Sequence, residues 1–173
     1  MGGNCQPGAL DTPDTAGLLD RLRRGLPALW LGVLVGVAGI ATPAPFALLA
    51  KADAGRVVGR ILGHEAWLSL GIAVLLLLLE RQRARQAAQS GQGSVLSGDL
   101  LLVLATVFCT VAGYFGVQSA LPAARAGLGG LSFGQWHAVS VLFYAIKALL
   151  VLALAWRGTR CPPALNLSRP LSS

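Results

Sequence analysis

Charge is what this sequence has least of. Only 12% of its 173 residues are Asp, Glu, Lys or Arg, against about 25% in a soluble domain. That shortage excludes an ordinary water-solvated surface. No paired carboxylates, no phosphate loop and no nucleophile–base pair appear, so the common enzyme chemistries lack their side chains. Gly127-Leu-Gly-Gly130 lies in a loop between apolar runs, not after a strand, and is not a nucleotide site. Three cysteines do not make a disulfide framework: Cys5 and Cys161 sit in polar tails, and Cys109 in an apolar run reads as a small packing residue. Aromatics are 6% of the chain and no basic stripe runs among them, which argues against nucleic acid as a partner despite a net charge of +7. Met1-Gly-Gly-Asn-Cys-Gln6 lacks the Ser or Thr that a myristoylation signal carries at its sixth position. The expectation is a non-enzymatic protein without cofactor or metal.

What is present is apolar, 54% of the residues. Four runs at about 26–50, 62–79, 99–121 and 134–156 are each near the ~20 residues that cross a hydrocarbon core. The sequence therefore predicts an all-α, integral membrane bundle of four transmembrane helices as one domain over 26–157, with the lipid bilayer as its solvent. Residues 1–25 and 158–173, rich in Gly, Pro, Ser and Thr, read as loose cytoplasmic tails. Twelve arginines against two lysines, with heavy Ala, Leu and Gly, suggest a bacterial source and hence an inner membrane. Arg21, Arg23, Arg24, Arg81, Arg83, Arg85, Arg157, Arg160 and Arg169 fall on one side, against Lys51, Arg56, Arg60 and Arg125 on the other. The positive-inside rule puts both termini in the cytoplasm.

The first run follows arginines as a signal peptide does, but it is too long, and its cleavage candidate Ala41-Thr-Pro-Ala44 precedes Pro45, so it reads as a retained anchor. Gly32, Gly36 and Gly39 share a face for helix packing, within the chain or in a homo-oligomer. Pro43 and Pro45 remove two backbone donors and predict a kink. Lys51–Gly63 reads as a short interfacial connector, and Glu65 as a residue favoured by the dipole at the start of the second helix. Thr106, Thr110 and Gly113 share a face and predict a packed neighbour for the third span.

The last run carries most of the anomalous polar side chains. His137, Ser140, Tyr144 and Lys147 are spaced by three, four and three, which puts them on one helical stripe facing protein or internal water. Lys147 lies nine residues before Trp156, about 13 Å along a helix. A charge there costs at least ~2.5–3 kcal/mol, and no acid is expected at that depth. Three readings stay open: Lys147 snorkels, it is hydrogen-bonded to Tyr144, Thr106 or Thr110, or it lines a path for an anion or proton. Arg56, Arg60, His64, Glu65, Gln118 and His137 fall near the outer ends of their spans. Two imidazoles and a carboxylate there are a conceivable transition-metal set, although single histidines at an interface are more often structural.

Leu29-Trp30-x-Gly32, Pro43-x-Pro45-Phe46, Ala54-Gly55-Arg56-Val-Val-Gly59-Arg60 and Trp136-His137-Ala-Val-Ser140 occur in order over residues 26–157. In these landmarks the chain resembles the bacterial domain of unknown function family 4149, related to eukaryotic transmembrane protein 205-like proteins. Trp136 stands where that pattern usually has Leu. The resemblance implies a small four-span membrane protein without an assigned activity and draws attention to Pro43, Pro45, Phe46, Gly55, Arg56, Gly59, His137 and Ser140. The expected role is an accessory or structural partner of another membrane protein. The alternative is a small transporter or metal-handling protein using His64, Glu65, His137 and Lys147.

Overall fold

A computed structural model describes residues 13–89, 98–128 and 130–159. Helix α1 (Pro13–Gly36) passes through a wide π-helical turn (Val37–Ala41) into the short α2 (Pro43–Leu48). Helix α3 (Lys51–Gln89) is followed by α4 (Gly98–Thr110), which widens over Val111–Val117 and continues as α5 (Gln118–Arg125), and α6 (Phe133–Thr159) closes the chain. There is no strand among the described residues. Four helical rods, Gly17–Leu48, Lys51–Arg85, Gly98–Arg125 and Phe133–Thr159, are long and apolar enough to cross a membrane.

Helix α6 packs between α1 and α4, and α3 completes the ring by touching both. Every neighbour in that ring runs antiparallel. The centre is filled by Trp30, Leu34, Ala73, Leu76, Val103, Val151 and Leu154, while Leu29, Ile40, Trp67, Phe108 and Leu149 point outward. Lipid tails are as apolar as leucine, so burying Leu gains little there, and close packing with internal polar pairs holds such a bundle together.

Three expectations change. The helix begins at Pro13, so residues 13–25 are not a tail; proline suits a first helical turn. Residues 1–12 and 160–173, including Cys5 and Cys161, lie outside the described residues. The stretch Lys51–Gly63 is no connector but the first third of α3. Ala54 and Val58 are buried there, and α2 packs alongside. With 39 residues, α3 is about 58 Å long at a 1.5 Å rise, far beyond the ~30 Å hydrocarbon core. The glycines of α1 and the wide turn also differ: a Cβ at Gly32, Gly36 or Gly39 would meet no atom within 4 Å. Among the described residues no other part of the chain closes on these three positions.

Close approach occurs elsewhere. Thr106, Thr110 and Gly113 are buried, and a Cβ on Gly113 would lie 2.9 Å from Phe143 Cβ of α6. That atom is fixed to its backbone and cannot swing aside. Gly113→Ala is therefore expected to force the two helices apart and cost about 1–3 kcal/mol. Gly116→Ala, where nothing lies within 4 Å, should leave the detergent melting temperature unchanged or slightly raised. Equal melting temperatures for the two variants would refute the close contact.

The two ends of the bundle are built differently. At one end Arg23 bonds Glu80 and lies 3.6 Å from Asp99, and Arg24 bonds Asp20. Arg157 Nε sits 2.7 Å from Asp99 Oδ1, at an angle that leaves this oxygen without a hydrogen bond. These charges tie α1, α3, α4 and α6 together around an open cavity of about 530 Å³. At the other end the rod of α1 widens before Pro43 and Pro45, as two missing donors dictate, and Leu49 turns extended. The wide turn and α2 lean on α3 and leave α6.

Candidate functional site

The mid-depth lysine has an acid. Lys147 Nζ donates to both carboxylate oxygens of Glu65 at 2.8 Å each, and each side chain is only 4% exposed. The sequence predicts Glu65 at the start of a helix and no acid near Lys147; the structure corrects both. Because α3 begins at Lys51, Glu65 falls about ten residues past any capping position and opposite the middle of α6. Lys147 neither snorkels nor bonds the threonines, whose hydroxyls donate to carbonyls of their own helix at 2.8 Å. Its ammonium also lies 4.7 Å from the centre of the Tyr144 ring, within reach of the cation–π attraction.

The carboxylate is held in place from behind. Ser69, one turn along α3, donates its hydroxyl to Glu65, and Trp30 Nε1 donates to Ser69 Oγ at 2.9 Å. Trp30 is wholly buried. A continuous chain, Trp30–Ser69–Glu65–Lys147, thus crosses from α1 through α3 to α6. Tyr144 adds a second cross-link by donating to the Leu34 carbonyl of α1 at 2.8 Å. In the sequence Trp30 stands out only as a landmark, and Ser69 not at all. The missed signal is the inward stripe of α3: Ala54, Val58, Leu62, Glu65, Ser69, Ala73, Leu76 and Glu80 recur at spacings of three and four, so Glu65 and Ser69 belong to the face that packs.

Beside the pair lies a small cavity of about 30 Å³, lined by Leu62, Cys109, Thr110, Tyr114, Gln118 and Ser140 with both charged groups. It is large enough for a water molecule. The predicted stripe splits by depth: Lys147 is buried, Tyr144 and Ser140 are half-buried, and His137 is exposed at the far end, stacked on Phe133 with centroids 6.1 Å apart.

The predicted outer-end cluster does not assemble. Arg56 is exposed and bonds Asp53, Arg60 is exposed, and exposed His64 places Nδ1 2.8 Å from the Arg60 carbonyl of its own helix. Glu65 has turned inward. Gln118 shares the inner cavity with Glu65 and, with His137, lines an open and mostly apolar groove of about 550 Å³ between α6 and the departed end of α1. Leu62, Gln118, Ser140 and Tyr144 line both the groove and the inner cavity. Among the described residues no group of three or more His, Cys, Asp or Glu is placed to hold a metal ion.

No curated protein and no solved structure matches the chain. The family model described as a domain of unknown function (DUF4149) matches residues 26–129, and the chain belongs to that family.

Proposed function

We propose that this member of the DUF4149 family is a non-enzymatic membrane protein, an accessory or structural partner of another protein in a bacterial inner membrane, with both termini in the cytoplasm. One observation carries the reading. The deepest charged groups, Glu65 and Lys147, are spent on each other and on Ser69, which is how a scaffold stabilises itself rather than how a reaction centre presents a free group. The excess of arginine at the ion-paired end supports the orientation, since Arg23, Arg24, Arg83 and Arg157 gather there. Crosslinking in intact membranes followed by purification in mild detergent is expected to return the same co-purifying membrane protein repeatedly. Recovery of the well-folded chain alone, in every preparation, would overturn the proposal.

The small cavity beside Lys147, with Thr110, Gln118 and Ser140 in its wall, favours one second reading, a transporter of protons or small anions. Its metal-handling form finds no ligand cluster among the described residues. Proteoliposomes separate the readings. An accessory protein should show no proton or chloride flux above protein-free vesicles. A flux that disappears in the double variant Glu65→Leu/Lys147→Met would establish transport.

A further inference from the structure

We infer that the groove between α6 and the displaced end of α1 is a binding site for one anionic phospholipid, with the phosphate at Arg125 and an acyl chain lying along α6. The groove is a product of the kink. Once the wide turn and α2 leave α6 for α3, a wedge opens whose floor is α3 at Gly55 and Gly59, where the absence of side chains keeps it deep. Its volume, about 550 Å³, lies within the range of small-ligand pockets. It is mostly apolar, with Arg125 and His137 at one end and Gln118, Ser140 and Tyr144 where it adjoins the inner cavity.

The polar end has a sign. Arg125 and His137 line it, and no Asp or Glu does. The Arg125 guanidinium lies 4.9 Å above the Phe133 ring, the same ring on which His137 stacks, and Arg125 makes no ion pair among the described residues. The nearest acid along α3, Asp53, is already bonded to Arg56. A guanidinium held by an aromatic face and lacking a carboxylate is a phosphate partner, and the apolar remainder matches an acyl chain, not a soluble anion. The inference is independent of the accessory role proposed above.

Native mass spectrometry of the full chain, released from detergent containing equal palmitoyl-oleoyl phosphatidylglycerol and phosphatidylcholine, tests it. The wild type is expected to retain one phosphatidylglycerol at least five-fold over phosphatidylcholine. Arg125→Gln should abolish the preference. Gly59→Leu leaves every charge in place and points into open space, since nothing lies within 4 Å of a Cβ there; it should expel the bound lipid, and its melting temperature in lipid-free detergent reports whether the fold is intact. Equal retention of the two lipids overturns the inference. So does preference that survives Gly59→Leu in a folded protein, because that would be attraction by surface charge alone. A second copy of the chain bound in the groove, seen as a dimer lost in Gly59→Leu, also overturns it.

Discussion

Lys147→Met alone is expected to remove about 3–5 kcal/mol of stability, because breaking a buried ion pair leaves its partner's charge uncompensated. Glu65→Leu alone should cost a similar amount. Against a total of about 5–15 kcal/mol, either loss is a large fraction, and it should appear as a melting temperature in detergent lowered far beyond that of any surface variant. The double variant discriminates between causes. Replacing a buried pair by apolar groups of similar volume is often neutral or stabilising, and Ser69 retains a carbonyl acceptor one turn back on its own helix. Glu65→Leu/Lys147→Met should therefore recover most of the wild-type melting temperature. If the double variant is as unstable as the sum of the singles, the 2.8 Å contact is not what couples α3 to α6.

Trp30→Ala should be comparably severe, at about 3–5 kcal/mol for a large buried aromatic. Two losses combine. The indole is wholly buried at the meeting of α1 with α3 and α6, within the same cluster as Ala73, Val103 and Val151, and neighbours tied by a ring of helices cannot all collapse into the space. Ser69 also loses its donor. Trp30→Phe keeps most of the volume and removes only the N–H, so about 1 kcal/mol should be lost, the usual net worth of one hydrogen bond. Chemical denaturation followed by far-ultraviolet circular dichroism would rank the three proteins. Trp30→Phe as damaging as Trp30→Ala would show that the hydrogen bond, not packing, dominates at this position.

The four rods were legible from apolar run length because a bilayer admits few ways to satisfy a backbone. The inward stripe of α6 was legible from spacing alone, and Tyr144 and Lys147 do face the bundle. What stayed hidden was the pairing of that stripe with α3. Polar residues at Lys51–Arg60 look like the end of a span, yet here they cap an overlong helix that projects beyond the hydrocarbon. A rod counted from residue 62 puts Glu65 at the rim, the place for capping or metal binding, whereas a rod that starts at Lys51 puts it at mid-depth. The glycines misled for a related reason. Gly32 and Gly36 have the spacing of a packing motif, but which face of α1 turns inward is decided by Trp30 and Leu34, whose bulk fills the centre. Gly113 lies in no such motif and makes the tightest approach to a backbone-anchored side-chain atom.

The separation of the ion pair along the chain has a bearing on how the protein is made. Glu65 precedes Lys147 by 82 residues, which at about 5–20 residues per second of synthesis is roughly 4 to 16 seconds. During that interval the second rod exists while its cation has not been translated. An acid in mid-bilayer without a counter-charge is costly, so the second rod should be held beside the insertion machinery, or sit shallow, until the fourth emerges. Release into lipid then becomes a late and collective event, and a ribosome stalled before residue 147 should leave a nascent chain that carbonate extraction removes from the membrane more readily than the finished protein.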